Sequence, residues 1–404
     1  MDEQEANDEY KAVTSVLSSF HNFHTFQLNQ LVSPRLQTLA TLTSRDQLRF
    51  VPWYEQHTQF VQQCIEINRD FCQHLAEKIG QDWGVNESSP TDWTPASPKQ
   101  FAQTQIVLSR LMREWSDQGE QERQVGHDLI ISHLNKLYPD KLHRQGVKVL
   151  VPSCGLGRLV FELVMQGYWT QGNNSDYHTL FISNFILNHC QFPHSFSIFP
   201  FLASSATSSK KRRNQIRPVT IPDVSPTAEI LSAMEREKDN RKIGESATES
   251  SATRIVVPFD ELMSITAGSF TELYGSRPND DASPASQEIR SQSQGEFDVV
   301  VTEFCLHSAS TEIIDYVQTI NNVLKQGGKW INFGPLSGTN SGDDARGDGL
   351  DLSRDDLFEL VTELGFEFAT TELDIETTYC GDARSLESHI YKCDFWVCTK
   401  VSKV

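Results

Sequence analysis

The sequence predicts an α/β fold, a largely parallel sheet wrapped by helices and preceded by a helical N-terminal region. Three observations carry this expectation. Residues 147–152 are short, rich in β-branched side chains and almost continuously apolar, as a strand buried on both faces must be. A glycine-containing loop and a helical pattern follow at once, and the alternation of strand and helix returns further on. Ahead of residue 146 the apolar residues recur at helical spacing instead.

Within 1–145, Val61, Cys64, Ile65, Cys72, Leu75 and Ile79 mark one apolar stripe. Leu108, Leu111, Met112 and Trp115 mark a second, and Leu129, Leu134 and Leu137 a third. The Ser-, Pro- and Asn-rich stretch 88–98 reads as a linker between two of these helices. From 146 to 404 the pattern is that of the sheet domain. After the strand at 147–152 and a helix at 158–166 come a second strand at 168–171 and a second helix at 175–188. Two polar tracts, 203–253 and 275–295, read as mobile insertions, with 215–224 an ordered island in the first. The sheet resumes at 297–302. A helix at 311–325, a turn at 326–328 and a strand at 329–333 follow. Residues 352–364 form a helix with Ser353 as cap and Asp355 and Asp356 in its first turn. Residues 366–373 and 390–399 close the sheet as an antiparallel pair.

The bulk numbers limit the function. A net charge of −19 over 404 residues argues against a broad nucleic-acid surface, and the basic run 210–213 reads as a solvated loop tip. No segment has the roughly 18 apolar residues of a membrane span. The acidic start has no leader-like apolar core. The eight cysteines are scattered without a CxxC or a zinc-ligand spacing. Neither a disulfide scaffold nor a metal site is expected, and free thiols fit the cytoplasm, with the nucleus as a second compartment.

The chemistry concentrates where strands end. A glycine loop between strand and helix lets a ligand approach backbone near the helix's positive end. Here the loop holds Gly155 and Gly157 but then Leu159 and Val160, so it lacks the GxGxxG of a dinucleotide dehydrogenase. That favours a ligand without a pyrophosphate; a tight structural turn explains two glycines equally well. After the second strand, where a ribose-binding carboxylate normally sits, the chain has Asn174, with Asp176 able to supply a charge or merely to favour the helix start. His307 follows the strand at 297–302 and is either a general base or a hydrogen-bonded structural residue. Arg113 is either a partner for a ligand carboxylate or one half of an ion pair with Glu114 or Glu120.

Taken together, several segments resemble one family. They include 113–116, 149–159, Gly167 and Tyr168, 171–173, Leu180 to Asn188, 215–218 and 222–224. Thr266 to Gly268 with Phe270, 314–316, and Gly327 through Trp330 to Leu336 complete the set. Their order and spacing resemble the carnosine N-methyltransferase family, also called N2227-like, from about residue 45 to the end outside the two polar tracts. The resemblance implies a Rossmann-like class I methyltransferase sheet behind the N-terminal helical region. It also implies methyl transfer from S-adenosyl-L-methionine to an imidazole nitrogen of a small or peptide histidine-containing acceptor, carnosine-like, or of a protein histidine. A homodimer is the assembly it allows; no nucleic acid and no membrane enter.

Under that resemblance the cofactor positions are Arg113, Ser153, Gly155, Gly157, Asn174, Ser269, Phe270 and Glu303, and the catalytic candidates are His307 and Tyr391. The chain also departs from the family pattern. Ser153 and Cys154 replace a glycine and an alanine, Asn174 a glutamate, Arg110 a glutamine, Ser269 an aspartate, and Glu303 a small residue. On the acceptor side His307 stands where an aspartate is expected, Thr339 where a histidine is expected, and His389 lies near the retained Tyr391. Losing one charged hydrogen-bond partner costs roughly 1.5–3 kcal/mol, so binding of carnosine itself should be weakened. Two other readings compete: a binding protein that kept the fold and lost catalysis, and a nicotinamide-dependent oxidoreductase, which the loop disfavours.

Overall fold

The apolar stripes of the N-terminal region fold as α1 (Glu3–His21), α2 (Phe23–Gln27), α3 (Ser33–Thr41), α4 (Ser44–Phe50), α5 (Pro52–Asp82), α6 (Pro98–Trp115) and α7 (Glu120–Leu137) in a computed structural model. The structure describes residues 3–50, 52–85, 88–204, 209–244, 261–276, 283–306, 312–336 and 352–401. The start of α6 shows why the chain turns helical where it does. Ser97 accepts from the Gln100 N–H, the Gln100 side chain accepts from the Ser97 N–H, and Pro98 occupies a position that needs no donor.

Then come β1 (Lys148–Pro152), α8 (Arg158–Met165), β2 (Trp169–Asn174), α9 (Tyr177–Asn184), β3 (Phe196–Ile198), β4 (Val219–Ile221) and α10 (Pro226–Gly244). The remainder is β5 (Met263–Ala267), α11 (Phe270–Tyr274), α12 (Pro284–Ser293), β6 (Phe297–Glu303), α13 (Ile313–Val323), β7 (Leu324–Gly334), α14 (Arg354–Glu363), β8 (Phe366–Thr377) and β9 (Tyr391–Lys400).

The chain packs as two compact units. The helical unit comprises 1–122, 177–227 and 380–389; the sheet unit comprises 123–176, 228–379 and 390–404. The division at 145/146 expected from the sequence is a cut along the chain, and the units cut across it. Residues 177–184 join the N-terminal helices because their side chains pack there. The Phe181 ring lies 5.2 Å from Trp83, and His178 Nε2 lies 3.1 Å from Ser19 Oγ. Val32, Val61, Ile65 and Leu202 form a core of this unit, and β3 pairs antiparallel with β4 beside it.

In the sheet unit seven strands run in the order β5-β2-β1-β6-β7-β9-β8. The first five are parallel, and β9 is antiparallel to both β7 and β8. This is the expected α/β class, a Rossmann-like methyltransferase sheet with an antiparallel edge pair. Strand alternation sends Val149, Val151, Val299 and Val301 into a cluster under α7 and α8. Leu150 and Val300 go to the opposite cluster, under α11, α13 and α14.

The structure adds three features to these expectations. Helices lie within the polar tracts, α10 in the first and α12 in the second. Both open on a proline at the first turn, and Ser283 caps α12 by accepting from the Ser286 N–H. Neither carries a continuous apolar stripe, so each reads as part of a polar tract in the sequence. The turn expected at 326–328 lies inside β7, where pairing jumps from Leu324↔Phe297 to Lys329↔Val299. The edge strand β5, whose sequence alternates with Ser264 and Thr266, was not anticipated. Among the described residues no helix is long and apolar enough to cross a membrane.

Candidate active site

β1 lies between β2 and β6, so the strand order reverses at β1/β6. Ligands of open α/β sheets bind outside the carboxyl ends at such a reversal. The loop leaving β1 there is built from left-handed residues: Ser153, Gly155 and Gly157 have φ of 52°, 56° and 83°. The Gly155 N–H donates to the Ser153 carbonyl at 2.8 Å, the Gly157 N–H to that of Cys154 at 3.1 Å, and the Cys154 N–H to that of Asn173 at 3.1 Å. Gly157 then caps α8. Ser153 is exposed and Gly155 half-buried, so the turn presents backbone outward.

The side chains that replace the expected glycine and alanine both have work to do. The Ser153 hydroxyl hydrogen-bonds Cys305 and Tyr316, whose Sγ and hydroxyl lie 2.7 Å apart. Burial pushes that thiol and that phenol up, so both stay protonated partners. Cys154 points at Gly172, where any Cβ would lie 2.8 Å from its sulfur. The larger loop residue is matched by the absence of a side chain on the neighbouring strand.

The ends of β2 and β5 adjoin this loop. Asn174 Oδ1 accepts from the Asp176 N–H at 3.0 Å, so its oxygen is engaged in a local turn. The Asn174 carbonyl accepts from the Gly268 N–H at 2.9 Å. Asn173 Nδ2 donates to the carbonyls of Thr266 and Gly268, tying the two strand ends together. Ser269 precedes α11, and Phe270 is buried with its ring 4.8 Å from that of Tyr316. A pocket of about 240 Å³ lined by Ser269, Thr271, Glu272, Glu312 and Asp315 lies along α11 and α13 and meets the strand ends only at Ser269.

Glu303 ends β6 and faces the α7/α8 layer. There it meets a residue that sequence reasoning missed. His127 Nε2 lies 3.2 Å from Glu303 Oε2, and its Nδ1 lies 2.7 Å from Glu162 Oε2. Arg158 Nε contacts the other oxygen of Glu162 at 2.7 Å. α7 comes this close to the sheet because Gly126 has no side chain; a Cβ there would lie 2.5 Å from the Phe333 ring. Burial alone would lower the imidazole, but Glu303 and Glu162 outweigh it and push it up to about 9. Burial would raise Glu162, yet His127 and Arg158 draw it down to about 2. Only the Arg158/Glu162 spacing of four on one helix was visible in the sequence.

Beyond Glu303 the chain turns into a left-handed conformation at Phe304, with φ of 45°. Its ring lies 4.7 Å from Tyr379 and 5.9 Å, edge-on, from Tyr391. Tyr391, the catalytic candidate at the start of β9, is thus at the same edge of the sheet as the loop and Glu303. His307 and Thr339 lie outside the described residues.

Arg113 belongs to the helical unit, near the end of α6, and is buried. Its Nε lies 3.2 Å from Glu122 Oε1. Glu122 also accepts from the N–H groups of Cys380 and Gly381 at 2.7 and 2.9 Å. Burial, with Glu122 adding to it and Arg113 opposing, pushes the Cys380 thiol up to about 12. The basic run is also engaged in this unit. Arg212 lies 3.8 Å over the Trp53 ring, and Lys210 Nζ donates to the Ala383 carbonyl at 3.0 Å.

Comparison with known proteins adds a second line of evidence. The family model described as carnosine N-methyltransferase matches residues 90–402. The carnosine N-methyltransferase of Schizosaccharomyces pombe is 30% identical over 355 residues, covering 85% of this chain and 82% of that protein. The Mus musculus protein of that name is 26% identical over 406 residues, covering 98% and 88%. A Drosophila melanogaster relative, carnosine N-methyltransferase unmet, is 25% identical over 437 residues, covering 99% and 83%.

Proposed function

The chain belongs to the carnosine N-methyltransferase family and is a methyltransferase that uses S-adenosylmethionine; on that premise we propose that its acceptor is an imidazole nitrogen of a small histidine-containing molecule or of a protein histidine. The observation that carries the reading is the left-handed turn at 153–157, exposed at Ser153 and placed at the strand reversal of the sheet.

The residues present fit the cofactor. S-adenosylmethionine supplies a methyl on a positively charged sulfur. Gly155 and Gly157 let a ligand approach the loop backbone without a side chain between. With its oxygen held by Asp176, Asn174 has its NH2 to offer a ribose hydroxyl. Ser269 and Phe270 would border the adenine base. Glu303 offers a negative charge.

On the acceptor side, the rings of Phe304, Tyr379 and Tyr391 suit a flat imidazole. The lone pair of the neutral ring nitrogen would form the new N–C bond as the methyl left the donor sulfur, whose C–S electron pair would stay on sulfur. The ring is then cationic and loses the proton on its other nitrogen, which His307 or Tyr391 would receive or relay. Imidazole is largely unprotonated at neutral pH, so alignment of donor and acceptor dominates the rate.

The test is mass spectrometry after incubation with methyl-deuterated S-adenosylmethionine and, separately, carnosine, free histidine, a histidine peptide and a cell extract. Label on an imidazole nitrogen is expected. Label confined to another functional group, or found on nothing, sinks the acceptor assignment.

A further inference from the structure

Four charges line the α7/α8 face of the strand ends, and three of them, on Arg158, Glu162 and His127, stand behind Glu303. Arg158, Glu162, His127 and Glu303 alternate in sign and sum to zero when the imidazole is protonated. Geometry requires that state, because both ring nitrogens face carboxylate oxygens, at 2.7 and 3.2 Å. A neutral ring would aim a lone pair at one of them. The charged groups around the ring are Glu162 and Arg158 on α8 and Glu303 on β6, with Arg123 buried one turn earlier on α7 itself. The His127 side chain is 3% exposed, so the ring is held inside the fold rather than on its surface.

One end of this chain reaches the ligand edge of the sheet. β1 and β6 pair as Val149↔Val299 and Leu150↔Val300, and continuing that register puts Glu303 level with Ser153. A carboxylate therefore stands beside the glycine loop at the strand reversal. An unpaired carboxylate there would be pushed toward its neutral form or swing away. Held by an imidazolium, it stays ionised and fixed.

We propose that Glu303 binds the cationic α-ammonium of the methyl donor's amino-acid part, and that His127 is a positioning residue that holds Glu303 for it. This rests on the reading that these strand ends bind S-adenosylmethionine. A small residue at this position could offer such an ammonium only backbone; Glu303 offers a full charge. Affinity for the amino-acid part of the ligand, rather than for adenosine, is then the property these residues set.

The test is isothermal titration of the full chain with three probes. S-adenosylhomocysteine carries the ammonium without the sulfonium, S-adenosylmethionine carries both, and 5′-methylthioadenosine carries neither. Glu303→Gln should weaken the first two by about tenfold or more and equally, the loss typical of a charged hydrogen bond, and leave the third unchanged. His127→Gln should show the same pattern with a smaller loss. In turnover it should raise the KM for S-adenosylmethionine while kcat and the acceptor KM hold. Unchanged 5′-methylthioadenosine binding certifies that each variant is folded. Equal losses on all three probes would make the chain of charges merely structural and overturn the proposal. So would an S-adenosylmethionine loss exceeding that for S-adenosylhomocysteine, which would point to the sulfonium. If the unaltered chain binds no S-adenosylhomocysteine, the cofactor reading itself fails. If it binds and Glu303→Gln binds as well, only this inference does.

Discussion

The loop at 153–157 and the charged chain Arg158–Glu162–His127–Glu303 adjoin the same two strand ends, yet they are built in opposite ways. The loop is five consecutive residues whose contribution is backbone conformation, with φ of 52°, 56° and 83° at Ser153, Gly155 and Gly157. The charged chain gathers side chains from α7, α8 and β6, with His127 and Glu303 separated by 176 positions. A backbone-built feature absorbs new side chains: Ser153 and Cys154 sit where a glycine and an alanine are expected, and the turn persists. A feature built from charges has no such latitude, because each member keeps the others tolerable in a buried place.

Removing His127 should break this comparison open most widely. His127→Leu removes the cation that Glu162 and Glu303 share, leaving Glu162 with Arg158, and breaking a buried pair in this way costs about 3–5 kcal/mol. Denaturant unfolding measures it. A loss under about 1 kcal/mol would mean that the two carboxylates are solvated well enough to do without the imidazolium, and the contrast with the loop would vanish.

The same dependence should show in pH. The folded imidazole is raised to about 9 from 6.5, so its stabilisation is fully present below about 6.5 and is lost as pH rises through 9. At roughly 1.4 kcal/mol per unit, the loss is about 3.5 kcal/mol. Glu162 runs the other way: drawn down to about 2, it favours the fold above about 4.5 and loses that contribution as pH falls through 2. Melting temperature from pH 6 to 10 should decline in the unaltered chain and decline less in His127→Gln. Parallel curves would assign the pH dependence to other groups.

What could be read from the sequence divides along the same line. The strand at 147–152, its loop, the helix capped at Ser353 and the closing pair expected at 366–373 and 390–399, observed at 366–377 and 391–400, were legible because each is a local pattern. Ser353 even forms the reciprocal cap with Asp356 that its spacing suggests. β5 was hidden because an edge strand with Ser264 and Thr266 lacks the apolar run of the central strands. α10 and α12 were hidden for lack of a stripe. Glu303 drew attention as an unusual residue at a strand end, but its partner His127 is one histidine among twelve. No local pattern marks it, because only the close approach of α7 at Gly126 brings it to the sheet.

A smaller effect tests whether the loop's substituted side chains are truly accommodated. Gly172→Ala places a Cβ 2.8 Å from Cys154 Sγ and 3.1 Å from Val160 Cγ2, an overpacking expected to cost about 1–3 kcal/mol. Cys154→Ala in the same chain removes the sulfur and should restore part of it. Additive losses would show that the two positions do not share one space.

The smallest effect belongs to Ser153, and its sign is the informative part. Holding a serine in a left-handed conformation costs roughly 1–2 kcal/mol, which Ser153→Gly relieves. The same change forfeits the hydroxyl's bonds to Cys305 and Tyr316, about 0.5–1.5 kcal/mol, and adds glycine's chain entropy, about 0.5–1 kcal/mol. The terms nearly cancel, so Ser153→Gly should unfold within about 1 kcal/mol of the unaltered chain. Ser153→Ala keeps the strain and loses the bonds, so it should be the less stable of the two. If alanine instead matches serine while glycine falls below both, the hydroxyl contributes nothing. The loop would then owe its shape to Gly155 and Gly157 alone, the limiting case of a site built from backbone.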